Sequence, residues 1–282
     1  MSLSTSPVKT NELIEQWLHG NSQSTIKSYQ HYISKFLAHV DKPLDQVTLL
    51  DLQTWHLSLR SLSPSTQATA ISIVKSLFSF GYKLGVLKIN VGKLIKLPKS
   101  KDTLAQKILI ESDVKLMIDR TNNERNQAIL YMLYGCGLRV SELCEVKWSD
   151  LVKRKEGGQV SVFGKGDKTR IILIPSVVWE LVIKLKKNYG SDDPVFRSRQ
   201  RGLNNYHLSR KQIWRIVKAA AKRVGIEAPV SPHWLRHSHA SHSLDHGAPV
   251  SLVQKTLGHS SIATTERYIH AKPDDSSGMY LF

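Results

Sequence analysis

The chain has 282 residues, 41% of them hydrophobic, and its 40 Lys and Arg against 23 Asp and Glu leave a formal net charge of +17. That apolar content can bury a sizeable core in one large domain or two small ones. No apolar run approaches the ~20 residues needed to cross a bilayer, and Met1 to Lys9 is polar and Ser-rich with no secretion signal, so a cytoplasmic protein is expected. The cationic excess runs through both 1–98 and 109–282, which favours a polyanionic partner touching both halves, nucleic acid ahead of an anionic membrane surface.

Residues 1–98 read as four or five short helices with no strand pattern. Ser24 or Thr25 caps a helix with apolar positions at Tyr29, Ile33, Phe36 and Leu37, and Asp41-Lys42-Pro43 ends it. Thr48 caps the next, through Leu50, Leu52 and Trp55. Ser63-Pro64-Ser65 starts another, with Ile71, Val74, Leu77 and Phe78 on one face. The basic, Pro-containing break from Leu97 to Asp102 marks a linker, taken as 99–108, between a helical domain at 1–98 and a second domain at 109–282.

The second domain reads as mainly helical with a small antiparallel sheet. Helices are expected around 111–120, 124–134, 138–146, 176–188, 208–224, 233–246, 250–257 and 261–267. Between them, Gln159 to Phe163 alternates with Val160 and Val162 on one face, Gly164-Lys-Gly-Asp-Lys168 turns, and Arg170 to Ile174 is a β-branched run ended by Pro175. That is a hairpin, with room for a third strand nearby. Cys136 and Cys144 fall in an apolar stretch, too few for a disulfide framework and without zinc-ligand spacing, so buried thiols are expected. Lys211, Arg215, Lys218 and Lys222 line one face of a helix whose opposite face carries Ile213, Val217, Ala220 and Val224. This is either an ordinary solvated face or a surface for phosphates.

Four local motifs carry candidate chemistry. In Gly135-Cys-Gly-Leu-Arg-Val-Ser-Glu-Leu143 a helix ends at a glycine turn and another starts, with Arg139 in its first turn. A cation there runs against the helix dipole and needs a partner, either Glu142 or a bound phosphate. Lys165 and Lys168 stand on the hairpin tip, solvated or able to reach a phosphodiester oxygen as a general acid. Ser231-Pro-His-Trp-Leu-Arg-His237 starts a helix with His233 and Arg236 on one face. His233 and His237 have metal-ligand spacing, but Trp234 stands where a zinc protease has its Glu and no other ligand is near, so no metal is expected. In Leu257-Gly-His-Ser-Ser-Ile-Ala-Thr-Thr-Glu-Arg-Tyr268 a short helix delivers Tyr268, a weak nucleophile unless cations and a base sit beside it. His237, His239, His242, His246 and His270 read as chance members of a His-rich stretch.

Taken together, these motifs resemble the tyrosine recombinase (phage integrase) family, most closely its Xer-type members. The GLRVSEL arginine motif, the GKG hairpin, the H-x-x-R motif, the LGH motif and the tyrosine nine residues after that histidine fall in the family's order and spacing. The N-terminal helices, including Ser24-Thr-Ile-Lys-Ser-Tyr29, look like its SAM-like core-binding domain.

The resemblance implies a fold of a helical core-binding domain followed by a mixed α/β catalytic domain. It implies a site-specific recombinase in which Arg139 and Arg236 clamp the scissile phosphate, with His259 as third donor. Lys165 protonates the leaving 5′-oxygen and His233 assists proton movement at Tyr268. Tyr268 attacks in line to leave a 3′-phosphotyrosyl bond that a second 5′-hydroxyl reverses. Neither ATP, cofactor nor catalytic metal is implied, and no P-loop or carboxylate cluster stands in the sequence. The partner is double-stranded DNA, bound by four protomers on two sites, as a homotetramer or with a sister recombinase. The apolar tip Met279-Tyr-Leu-Phe282 is expected to dock into a neighbour, and the length to leave no room for a further arm-binding domain. Two other readings stay open, a type IB-like topoisomerase and a non-catalytic DNA-binding protein on the same fold.

Overall fold

The computed structural model describes residues 10–98, 103–164, 169–198 and 207–269. The chain divides into two compact units, Met1–Lys101 and Asp102–Phe282. Among the described residues no helix is long and apolar enough to cross a membrane.

The first unit is built from α1 (Thr10–Leu18), α2 (Gln23–Val40), α3 (Leu49–Ser58) and α4 (Pro64–Lys83). The cap of α2 is Ser22, not Ser24 or Thr25. Ser22 has the extended backbone that a cap needs and its side chain accepts from the Thr25 N–H, whereas Ser24 and Thr25 are already helical. Thr48 caps α3 in a reciprocal box with Asp51, and Ser63 caps α4 with Pro64 in its first turn. The core centres on Phe36, whose ring meets Trp55 and Phe78 edge-on at 5.0 and 6.0 Å. Such edge-to-face pairs add about 0.5–1.5 kcal/mol each beyond the burial of their area.

The second unit contains α5 (Glu111–Asp119), α6 (Glu124–Gly135), α7 (Val140–Glu145), β1 (Leu151–Lys153), β2 (Gly158–Phe163), β3 (Thr169–Ile174), α8 (Ser176–Lys184), α9 (Arg210–Arg223), α10 (Pro232–Asp245), α11 (Val250–Leu257) and α12 (Ile262–Ile269). Ala128, Ile129, Leu130, Met132 and Leu133 are all buried, so α6 is apolar nearly all round and runs through the middle. Helices α5, α7, α8, α9 and α10 pack against it. Two histidines fix α10 to this core. His239 Nδ1 lies 2.6 Å from the Tyr134 carbonyl, and His242 bridges the Tyr134 hydroxyl and the Leu109 carbonyl at 2.9 and 3.0 Å.

The sheet is antiparallel in the order β1-β2-β3, with Val160 opposite Ile172 and Val162 opposite Arg170. Along β3, Ile172 and Ile174 are buried and Ile171 and Leu173 exposed, and Arg170 shares the inward-facing parity. Lys165 and Lys168, which come between β2 and β3 in the sequence, lie outside the described residues, as do His270 and Met279–Phe282. Residues 103–108, expected in the linker, pack on the second unit. Leu104 is buried with Ala240, Val253, Leu257 and Tyr268, and the Leu109 N–H donates to the Ser238 hydroxyl. An apolar Leu at 104 and Ile at 108 give this stretch something to bury, which a free linker lacks.

Helix α9 has the phase that its sequence predicts. Ile213, Val217 and Ala220 are buried while Lys211, Arg215, Lys218 and Lys222 are exposed. Val224 falls just past the helix as its C-cap. Cys136 and Cys144 are free and buried, and burial pushes their thiols up to about 12 and about 11.

Candidate active site

The site is organised by the end of α11. A helix leaves its last carbonyls without partners and its dipole negative there. Gly258, in the left-handed conformation at φ 63°, stops the helix, and the N–H groups of Gly258 and His259 fold back onto its last turn, at Lys255 and Gln254. Three arginines from three other elements then take three successive carbonyls. Arg170 of β3 donates Nε to Thr256 O at 2.8 Å, Arg236 of α10 donates Nη2 to Leu257 O at 2.5 Å, and Arg139 before α7 donates Nη2 to Gly258 O at 3.0 Å. His259 follows directly, so its place is set by the same cations.

Arg139 is the N-cap of α7, one position before the first turn in which the sequence places it. Its partner is Glu142, which accepts the Arg139 backbone N–H and Nη1, both at 2.8 Å. Glu142 also accepts both terminal nitrogens of Arg170, at 2.8 and 2.9 Å. Burial raises the Glu142 carboxyl, but the Arg170 bonds and the bonds from Arg139 outweigh it and hold the group below its ordinary range. One carboxylate thus serves a cluster of three guanidinium groups, and the cluster keeps surplus positive charge.

Arg236 is 5% exposed. Its Nη1 bonds the carbonyl of Gly137. Gly137 sits at φ 60°, and a Cβ there would lie 2.7 Å from the His239 ring, so only glycine lets this carbonyl approach. Burial, then the Arg139 charge, lowers Arg236 to about 9, which leaves it protonated at neutral pH. A guanidinium has five N–H donors, and two go to carbonyls, leaving others for an anion.

Tyr268 is 5% exposed, its ring packed with Leu104, Ala240, Val253 and Leu257. Helix α12 brings it against α10 and α11. The His259 ring is stacked near it, 6.3 Å between centroids and 12° between planes. His259 Nδ1 is 2.9 Å from the hydroxyl of fully buried Thr265. With that hydroxyl as donor, the imidazole proton stays on Nε2, the nitrogen that could then donate to an anion. Burial, then Arg236 and Arg139, pushes His259 down to about 4.

The phenol itself touches His237, Nδ1 to Oη 2.7 Å. In the sequence His237 reads as a chance histidine; it lies one helical turn after His233, and that spacing is its only signal. His233 is exposed, its ring 6.4 Å from that of His237. Burial raises the Tyr268 phenol and the Arg236 charge lowers it, with a net rise. The sequence also conceals Arg170 and Thr265. An inward-facing cation in an otherwise apolar strand is the sign of the first, and nothing marks the second. Among the described residues no group of three His, Cys, Asp or Glu is placed to hold a metal ion.

Residues 107–274 match the model of the phage integrase family, and residues 13–83 match a phage integrase N-terminal SAM-like domain. The chain belongs to the phage integrase family. Among its relatives in that family, tyrosine recombinase XerA of Pyrococcus horikoshii is 36% identical over 89% of this chain and 84% of its own. Tyrosine recombinase XerD of Listeria innocua is 33% identical over 92% of this chain and 94% of its own. The fold is shared with the crystal structure of the XerH site-specific recombinase bound to its difH substrate, at TM-score 0.71 and 21% identity over 99% of this chain and 90% of that one. The phage integrase match over the second unit covers the three motifs that build the site described above, and Arg170 with them.

Proposed function

We propose that this site-specific recombinase breaks and rejoins duplex DNA through a covalent bond between Tyr268 and a 3′-phosphate. The observation that carries the reading is the convergence of Arg139, Arg236, His259 and Tyr268 on the end of α11, with surplus positive charge and one buried phenol.

Arg139 and Arg236 hold the non-bridging oxygens of the scissile phosphate, and the Nε2–H of His259 adds a third donor. Because carbonyls already fix the guanidinium groups, little reorganisation is needed as charge develops on the phosphoryl oxygens. Glu142 and Arg170 position this set from behind. The Tyr268 oxygen attacks phosphorus, the bond to the 5′-oxygen breaks, and Lys165 supplies the proton to that oxygen. His233, one helical turn before His237 on α10, assists proton movement at Tyr268. Rejoining runs the same steps backward with a 5′-hydroxyl from a second duplex. The exposed Lys211, Arg215, Lys218 and Lys222 of α9 contact phosphates away from the reacting centre. Exchange between two duplexes takes four protomers, alike or paired with a sister recombinase. Its substrate lies in the cytoplasm, and the protein acts there.

The test is covalent trapping. Wild type and Tyr268→Phe are incubated with nicked duplexes tiled across the host genome, and SDS-resistant protein–DNA adducts are collected. The expected result is an adduct from wild type alone, with both proteins binding DNA. Recombination by Tyr268→Phe would overturn the reading, and relaxation of supercoils by dilute monomer would move it to a type IB topoisomerase.

A further inference from the structure

The group that takes the phenol proton is the least defined part of this chemistry. The phenol is a weak acid, raised further by burial, so at neutral pH attack requires its proton to leave. The H-x-x-R histidine, His233, is exposed. The atom at hydrogen-bond distance from the Tyr268 oxygen is Nδ1 of His237, at 2.7 Å. Both residues stand on helices that pack together, α10 and α12, and the rings are 5.7 Å apart.

From this geometry we infer that His237 is a catalytic residue, the general base that accepts the Tyr268 proton during cleavage and returns it during rejoining. The inference rests on the reading of Tyr268 as nucleophile. In the forward step the Oη–H bond breaks as the Oη–phosphorus bond forms, and the proton moves to Nδ1 of neutral His237, giving an imidazolium. The bond from phosphorus to the 5′-oxygen breaks at the same time, and that oxygen takes a separate proton from Lys165. In reverse, the imidazolium hands its proton back to the departing phenolate. Two protons move on two sides of the phosphorus, one to His237 and one from Lys165.

His237 must be neutral for this role, with its own proton on Nε2. The groups facing it favour that state. Burial acts first, then His233 and Arg236 of α10, Lys107 from the preceding turn and Arg267 of α12, and together they push it down to about 4. Among the described residues, no carboxylate is among these neighbours. A general base within hydrogen-bond reach contributes roughly 10²–10⁴-fold.

Two measurements test the inference. In full-length DNA-free protein labelled with ¹⁵N-histidine, the His237 resonances are assigned by their disappearance in His237→Gln. The expected pattern is the Nε2–H tautomer with Nδ1 as acceptor, and an Nδ1 shift in Tyr268→Phe. An Nδ1–H tautomer, or no response to Tyr268→Phe, overturns the assignment, and neither result needs a known DNA site. The second uses nicked duplexes bearing the cleavage site mapped by trapping, with either a normal or a 5′-bridging sulfur at the scissile bond. Sulfur leaves without a proton, so it bypasses Lys165. His237→Gln is expected to cleave about 10²-fold or more slowly than wild type on both duplexes. Its rate should climb about tenfold per pH unit toward the phenol's range, because the phenolate then forms without a base. Full rescue by the sulfur, or a deficit constant with pH, would place His237 elsewhere in the mechanism. Wild-type cleavage in the same series shows that the underlying reading holds even if this inference fails.

Discussion

The arginines around Gly258 and the cations along α9 belong to the same unit and carry the same charge, yet they are held in opposite ways. Arg139, Arg170 and Arg236 are tied to carbonyls, and Arg139 and Arg170 also to one buried carboxylate. Lys211, Arg215, Lys218 and Lys222 face solvent, and Lys218 leans over a ring, 5.1 Å from Trp214. Fixed cations can stabilise charge that appears at one point. Solvated cations can meet a phosphate chain at many points and give it up as readily, which makes them sensitive to salt. The difference therefore predicts which substitutions affect chemistry and which affect binding.

The largest effect is expected at Glu142. Replacing it by Gln leaves Arg139 and Arg170 facing each other without a counter-charge, and removing one partner of a buried pair costs about 3–5 kcal/mol. Chemical denaturation of Glu142→Gln against wild type reads this directly. The acid limb should change too. The Glu142 carboxyl is lower in the folded than in the unfolded chain, so its contribution is present above its ordinary value of 4.5 and disappears as pH falls through the folded value. His237, His239 and His259, each pushed down to about 4, act with the same sign. The unfolded chain binds their protons first, from the ordinary 6.5 downward, so stability should fall between about pH 6.5 and 4. In Glu142→Gln the histidine part should remain and the lower part should flatten.

Arg236→Lys keeps the charge but has no planar fork to bond the Gly137 and Leu257 carbonyls together. Single-turnover cleavage should drop about 10²–10³-fold, as when one fixed transition-state donor is removed. Binding of the uncleaved duplex should change little. Changing the four α9 cations to Gln should do the reverse. Affinity should weaken, and the salt slope should flatten by about 0.9 for each phosphate that is no longer neutralised. The melting temperature and the cleavage rate at saturating DNA should hold. The smallest effect is expected for Thr265→Val, which removes the hydroxyl that sets the His259 tautomer. Removing one hydrogen bond of about 1 kcal/mol corresponds to roughly a fivefold slower cleavage.

The same contrast explains what could be read from the sequence. Helix α9 was legible because its cations and apolar residues alternate with one period over four turns. The hairpin was legible from Val160, Val162 and the β-branched run to Ile174. Arg139, Arg236, His259 and Tyr268 stood out because each lies in a local motif. What joins them did not stand out. The Thr256, Leu257 and Gly258 carbonyls that receive three arginines are backbone groups and leave no mark in a sequence. Arg170 reaches Glu142 across 28 residues and Tyr268 meets His237 across 31, and such pairings are made by packing. Ser22 displaced Ser24 and Thr25 as a cap because several hydroxyl residues close together compete for one geometry. Residues 103–108 looked like linker because so short a stretch cannot show a period.

Tyr268 is the residue that carries the DNA in this mechanism. The direct measurement is mass spectrometry of the trapped adduct after digestion with nuclease and protease. One modified peptide is expected, spanning Tyr268, with a nucleotide joined through its 3′-phosphate to the phenol. A nucleotide on any other side chain, or one joined through its 5′-phosphate, would contradict it.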